Sequence, residues 1–223
     1  MKARFSYKNS NFIVRTETSD SFVVKEVLGG AYNKLKIQKN DICLDIGLNI
    51  GAFSVMSSKK CKFVYGYEPD RENFILAKQN LLINDCANTK IFNKAVIGND
   101  DKVRPFSVNV KKNKGAHSLI SKKGRDSAFV DCENINKIIL DYNPSIMKMD
   151  TEGAEYECLK SISNYKNFRE IIFEFHHAHL NDIKTREKYT DLINYLKPRF
   201  DKVDYRKETK GAWVTNVYCK NER

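Results

Sequence analysis

The sequence predicts an α/β fold, a Rossmann-like and mostly parallel sheet with an antiparallel strand at its C-terminal edge. Three observations carry this. The stretch Asp41-Ile-Cys-Leu-Asp-Ile-Gly-Leu-Asn-Ile-Gly-Ala-Phe-Ser54 begins as a short apolar run, Ile42 to Ile46, which suits a buried strand. It then passes Gly47, Asn49 and Gly51 into residues that can form a helix. A second stretch, Lys62-Phe-Val-Tyr-Gly-Tyr-Glu-Pro69, is another apolar run stopped by an acid, Glu68. Beyond it, strand-like and helix-like segments alternate until two strand-like runs close the chain, the order of a parallel sheet with an antiparallel edge.

Taken in order, Arg4 to Thr18 alternates loosely, with Phe5 and Tyr7 before Phe12 and Val14, and predicts a hairpin around Lys8-Asn-Ser-Asn11. Ser19-Asp20 is a capping signal for a helix carrying Phe22, Val23, Val27 and Leu28, expected to stop at Gly29-Gly30. Strands over Ile42 to Ile46 and Phe63 to Tyr67 flank a helix that begins near Gly51 and reaches Ser58. Asp70 caps a helix from Arg71 to Ile83, where Phe74, Ala77, Leu81 and Leu82 fall near helical spacing. A third strand is expected over Lys90 to Ile97, then an edge arm over Val103 to Val110, since Pro105 cannot donate to a ladder. Lys111 to Arg125 is polar, basic and Gly-punctuated, with His117-Ser-Leu-Ile120 embedded in it, and reads as a mobile loop bearing a short ordered piece. Further elements are a helix over Asn134 to Tyr142, a strand over Ser145 to Met149, a helix through Leu159 and Ile162, and a strand over Arg169 to Phe175. A helix over Thr185 to Leu196 follows, before the strand pair Phe200 to Tyr205 and Trp213 to Cys219.

At 223 residues this is one domain, residues 1–223, with a lead-in over 1–40 covering a core over 41–223. No apolar run approaches membrane-spanning length, and Met1-Lys-Ala-Arg-Phe-Ser-Tyr-Lys lacks the apolar centre of a signal peptide. Six cysteines are scattered without metal-site spacing, which points to buried thiols in a reducing, cytoplasmic setting. The net charge of +11 has two readings, a footprint for RNA or the solvated surface of a Lys-rich chain. The second is preferred, because no basic run is interleaved with the aromatics a stacking platform needs.

Ligands of open α/β sheets bind beyond the carboxyl ends of the strands. Asp45, Glu68, Asp150 and His176 all fall at predicted strand ends, so four polar groups point into one crevice. Glycines let the backbone approach a ligand, and a helix N-terminus offers unpaired N–H groups. Asp45 would repel a pyrophosphate, whereas S-adenosylmethionine (SAM) has no phosphate and carries an ammonium and a sulfonium. SAM is therefore the better cofactor than NAD. Glu68, about 20 positions beyond the glycine turn, has the spacing of an acid that bonds ribose hydroxyls.

These residues resemble the FkbM-type SAM-dependent methyltransferases. The resemblance rests on Asp45-Ile-Gly-Leu-Asn-Ile-Gly-Ala-Phe-Ser54, on Tyr67-Glu-Pro69 with Asn73-Phe74, and above all on Lys148-Met-Asp-Thr-Glu-Gly-Ala-Glu155. Asp20 to Val27 with Tyr32, and the run Ile171 to His176, extend it over most of the chain. It implies a class I methyltransferase fold and O-methylation of a hydroxyl on a sugar, glycoconjugate or other small metabolite. It also implies that Gly47, Asn49 and Gly51 shape the loop around the methionine part of SAM, with Asp45 beneath and Glu68 on the ribose. Ala95 would lie near adenine, and Ser118 matches a small polar position.

Asp150 and Glu152 are the candidates for handling the acceptor, as a base or as a pair that holds a divalent ion. Against this, Glu152 could simply cap a helix starting near Gly153, and Glu155 could merely face solvent. Lys148 shares a strand face with Asp150. His176 would be a neutral imidazole base, ranked behind Asp150. A metal reading of His176-His177-x-His179 is weak because adjacent strand residues point to opposite faces. The rival readings are an RNA methyltransferase, a non-catalytic SAM-binding module and a nucleotide-linked oxidoreductase. Asn49 in the glycine turn and the lack of a separate substrate domain argue against the last.

Overall fold

The computed structural model describes residues 1–108, 126–177, 183–206 and 214–222. It opens with a hairpin of β1 (Lys2–Tyr7) and β2 (Ser10–Arg15), with Tyr7 opposite Ser10. Lys8 and Asn9 both take positive φ, 46° and 59°, as a two-residue hairpin requires. Helix α1 (Asp20–Glu26) does not stop at the glycine pair but runs into a π-helical turn, Val27–Ala31, that contains it. The Ser19 side chain makes no capping bond; Asp20 is buried and accepts bonds from Arg15 N, Nε and Nη2, which tie the helix to the hairpin.

The core follows as β3 (Ile42–Ile46), α2 (Ala52–Ser58), β4 (Phe63–Tyr67), α3 (Arg71–Ile83) and β5 (Thr89–Phe92). Asp70 caps α3 as expected, accepting from Asn73 N at 2.8 Å. The single strand expected over Lys90 to Ile97 is broken in two. Asn93 donates to the carbonyls of Glu68 and Pro69, and β6 (Ala95–Ile97) leaves the main sheet. β6 pairs with β8 (Asp126–Asn134), which in turn pairs antiparallel with β7 (Val103–Val108). The proline-bearing β7 is an edge strand, as expected. β8 is not legible in the sequence, since its alternation is spoiled by Phe129, which lies 79% exposed. Helices α4 (Ile135–Tyr142), α5 (Glu155–Ser161) and α6 (Ile183–Leu196) interleave with strands β9 (Ile146–Met149) and β10 (Glu170–His176). β11 (Lys202–Asp204) and β12 (Val214–Lys220) complete the chain.

The main sheet has the order β11-β12-β10-β9-β3-β4-β5. β12 is antiparallel to both neighbours and all other pairings between adjacent strands are parallel. The antiparallel strand therefore sits one place in from the edge, and short β11 forms the rim. Both faces of the sheet are covered. On one face Leu44, Met147, Met149, Ile171 and Phe173 pack with Ile138, Leu159 and Leu192 of α4, α5 and α6. On the other, Cys43, Val64, Ile146 and Ile172 pack with Phe12, Val24, Phe53 and Leu76 of the hairpin and α1 to α3. Because strand residues alternate, Asp45, Lys148 and Glu174 share the second face with Cys43, Ile146 and Ile172. The lead-in thus lies over the polar carboxyl ends of three central strands. Among the described residues no helix is long and apolar enough to cross a membrane, and all six cysteines are buried and unpaired.

Candidate active site

β3 ends in a turn with three left-handed residues, Gly47 (φ 78°), Asn49 (φ 53°) and Gly51 (φ 89°). Gly47 and Leu48 both donate backbone N–H groups to the Tyr67 carbonyl at 3.0 Å, which locks the turn to the end of β4. A Cβ on Gly47 would lie 1.7 Å from the Asp150 carbonyl oxygen, so only glycine lets the end of β9 close on this turn. Glu68 is buried and its carboxylate accepts from Asn49 N (2.7 Å) and Asp70 N (2.9 Å). Burial pushes its carboxyl up to about 7, against the pull of those two N–H groups.

Two clefts meet at this turn. The first, of about 530 Å³, runs past Glu68, Asn73, Ala95 and Val96. The second, of about 840 Å³, lies between the lead-in residues Phe22, Glu26 and Tyr32 and the strand-end residues Lys148, Glu174 and His176. Both are lined by Gly47, Asn49, Asp150 and Glu152. The fit to SAM rests on the glycine cradle, the buried Glu68 carboxylate and the apolar wall at Ala95 and Val96.

The second cleft is crowded with charge. Lys148, with 5% of its side chain exposed, donates to the Gly47 carbonyl at 2.6 Å and lies 3.3 Å from Asp45 Oδ1. Asp45 is fully buried, accepts from Ser54 Oγ at 2.7 Å and lines neither cleft, so it braces the turn from behind. Burial raises its carboxyl, with Lys148 and Ser54 opposing. Tyr32 Oη donates to Glu174 Oε1 at 2.8 Å. Burial, and then the Asp150 charge, hold Glu174 up at about 7. After Asp150 the backbone turns through two positive φ values, 57° at Glu152 and 124° at Gly153. A glutamate in that region stores strain of the kind found at functional sites.

Two expectations for this segment are corrected. Glu152 does not cap a helix beginning near Gly153, because α5 starts at Glu155. Glu155 does not face solvent: it is 1% exposed, accepts from Thr151 N, Thr151 Oγ1 and Gly153 N, and lies 3.1 Å from His176 Nδ1. Burial opposes a charge on His176, but Glu155 first, then Asp150 and Glu152, outweigh it and hold the imidazole up at about 10. These carboxylates favour the charged ring, whereas a place at a strand end had suggested a neutral imidazole. His177 points to the other side, with Nε2 3.0 Å from Thr215 Oγ1. Glu155→Gln is expected to lower the His176 pKa by more than one unit, in proton NMR of the imidazole, and to cost about 1–2 kcal/mol of stability. An unmoved pKa would mean that Glu155 does not hold the ring.

The turn, Glu68, Ala95, Asp150, Glu152 and His176 are thus brought together, while Asp45 and Gly51 support the turn from outside the clefts. Ser118 and His179 lie outside the described residues, as do the basic runs Lys111 to Lys114 and Lys122 to Arg125. Sequence reasoning missed Glu174, and named Tyr32 within the family lead-in without giving it a role. The signal for Glu174 was present, since it lies two before His176 on a strand and shares its face.

Residues 45–207 match the methyltransferase FkbM domain family. The probable cobalt-precorrin-6B C(15)-methyltransferase (decarboxylating) of Methanocaldococcus jannaschii is 27% identical over 151 residues, covering 62% of this chain and 79% of that protein. Among solved structures, precorrin-6y C5,15-methyltransferase from Geobacter metallireducens GS-15 superposes with a TM-score of 0.51 at 11% identity. The alignment covers 94% of this chain and 93% of that one. Methyltransferase FkbM from Methylobacillus flagellatus KT gives a TM-score of 0.52 at 19% identity, covering 84% of this chain and 45% of that one. At these identities the two superpositions show a common fold.

Proposed function

The chain belongs to the FkbM methyltransferase domain family, and on that premise we propose that it transfers the methyl group of SAM to a hydroxyl of a small, uncharged acceptor, a sugar or glycoconjugate, bound in the second cleft. The observation that carries this is the junction of the two clefts at Gly47, Asn49, Asp150 and Glu152. A cofactor in one cleft and an acceptor in the other would meet beside two carboxylates. SAM supplies an electrophilic methyl on its sulfonium. Glu68 bonds the ribose hydroxyls, Gly47 and Asn49 accommodate the methionine part, and Ala95 with Val96 flanks the adenine. Asp150 and Glu152 accept hydrogen bonds from the acceptor hydroxyl, fix its line of attack and take its proton as the oxygen–methyl bond forms.

The cleft's own charge favours this acceptor over RNA. Glu26, Asp150, Glu152 and Glu174 line it. Among the described residues its lysine, Lys148, is paired with Asp45, and His176 lies against Glu155. A phosphate would meet net negative charge there, whatever the +11 of the whole chain attracts elsewhere.

Calorimetric titration with SAM tests the cofactor half. Glu68→Gln is expected to weaken SAM binding at least tenfold. Wild-type affinity is expected to rise several-fold between about pH 6 and pH 8 as Glu68 ionises, a rise the variant lacks. The sign for stability is opposite. A carboxyl raised in the fold contributes stability that is full below its unfolded pKa and lost as pH rises through about 7. No SAM binding at either pH would remove the assignment of the first cleft. The acceptor half is tested by turnover on a panel of sugars and their phosphate esters, with Asp150→Asn. Unchanged turnover in that variant would sink the assigned roles of the two carboxylates.

A further inference from the structure

Resting on the same cleft but on different atoms, we propose that Asp150, Glu174 and His176 bind one divalent first-row transition-metal ion, with an open side toward the acceptor. The three residues come from the ends of adjacent parallel strands. One donor atom from each lies within 4.8 Å of the others. His176 Nε2 is 3.7 Å from Asp150 Oδ1 and 3.7 Å from Glu152 Oε1. That separation is too long for a hydrogen bond. It is well placed for a shared ion, because two ligands at about 2.0–2.2 Å from one metal stand roughly 3–4 Å apart.

The surroundings have the form of a metal site. Glu155 lies against Nδ1 of His176 and is itself fixed by Thr151 and Gly153, so the ring is oriented with Nε2 toward the gap. A carboxylate behind a ligating imidazole is the usual device for fixing its tautomer. Glu174 is likewise aimed by the Tyr32 hydroxyl at Oε1. Lys148, the lysine among the described residues lining this cleft, is turned to the Gly47 carbonyl and to Asp45. One imidazole with two carboxylates suits Mn²⁺, Fe²⁺, Co²⁺ or Zn²⁺ better than Ca²⁺ or Mg²⁺. Three protein ligands would leave positions for one or two neighbouring hydroxyls of a polyol.

The ion's role follows from charge. A hydroxyl bound to it loses its proton more readily, and Glu152 is beside the gap to take it. The acceptor O–H bond breaks toward Glu152 and the oxygen–methyl bond forms. The carbon–sulfur bond breaks, and its electron pair stays on sulfur. The metal keeps its oxidation state throughout. Glu155 acts here as a positioning residue.

The test is titration of untagged, chelator-treated protein with Mn²⁺, followed by loss of the free-ion electron paramagnetic resonance signal, with and without saturating SAM. One ion per chain is expected. Glu174→Gln and His176→Ala are each expected to weaken it at least tenfold while SAM still binds in the first cleft. Absence of saturable Mn²⁺ binding up to millimolar concentration would overturn the site, and so would binding unchanged in both variants. The SAM titration is read separately. Its failure would strike the methyltransferase reading of the clefts and leave the metal result to stand or fall on its own.

Discussion

Lys148→Met is expected to destabilise the fold by about 3–5 kcal/mol, more than any other side-chain truncation in the site. The reason is the company it leaves behind. Asp45 is fully buried, and its partners are the Ser54 hydroxyl and the Lys148 ammonium. Without the lysine, the carboxylate must either stay charged and unpaired or take up a proton. The loss is therefore pH-dependent. In the variant the folded-state pKa of Asp45 lies far above its unfolded value near 3.9. Its contribution to stability is full below that value and is lost as pH rises through the folded pKa. Urea denaturation should show a smaller deficit near pH 5 than near pH 8. Asp45→Asn in the Lys148→Met background should recover much of it, because replacing both members of a buried pair leaves no orphan charge. A deficit below about 1 kcal/mol at pH 8 would mean that Lys148 does not hold this charge.

The same lysine shows where sequence reading succeeds and where it stops. Glu68, Asp150 and His176 were legible as strand-end residues because each terminates an apolar run, and apolar runs in a parallel sheet are buried on both faces; Asp45, expected in the same crevice, lies inside β3 and is buried behind the turn. Strand boundaries at Ile42–Ile46 and Phe63–Tyr67 follow the same rule and match the structure. Strand ends alone, however, do not reveal what meets across the gap. Lys148 finds Asp45 because β9 lies beside β3 in the sheet, although about 100 residues separate them in the chain. Chain order does not fix such neighbours.

Glu155 and Glu174 illustrate two further limits. Glu155 is polar and begins a short helix, features that suit a solvated first turn. Its burial comes from the Thr151-Glu152-Gly153 turn folding back over it, and that turn depends on left-handed backbone at Glu152, which nothing in the residue's identity announces. Glu174 sits within an apolar strand and is reached by Tyr32 from a helical segment 142 positions earlier. The strand break at Asn93 is of the same kind, since the side-chain amide satisfies the carbonyls of Glu68 and Pro69, just past the end of β4. In the last two cases a polar side chain completes a distant backbone or carboxylate, and local periodicity carries no trace of it.

Gly47→Ala is expected to cost at least about 3 kcal/mol and to abolish measurable SAM binding. Two penalties combine in it. A φ of 78° is unfavourable for any residue with a Cβ, and the new methyl would lie 1.7 Å from the Asp150 carbonyl oxygen, a backbone atom that cannot swing away. Relief requires β9 to retreat from the turn, which separates the Asp150 end of the second cleft from the Asn49 and Glu68 end of the first. Gly51→Ala is the matched control. It too has positive φ, 89°, but its nearest neighbour is Ala77 at 3.4 Å, an ordinary contact. It should cost only about 1–2 kcal/mol from backbone strain and leave SAM affinity within a few-fold of wild type. Thermal denaturation and calorimetry on the two variants separate the effects. If both lose binding alike, left-handed backbone throughout the turn is what the cofactor needs. If Gly47→Ala alone loses it, the close approach of β3 and β9 is the feature that builds the junction, and the glycine is required by Asp150 rather than by the turn.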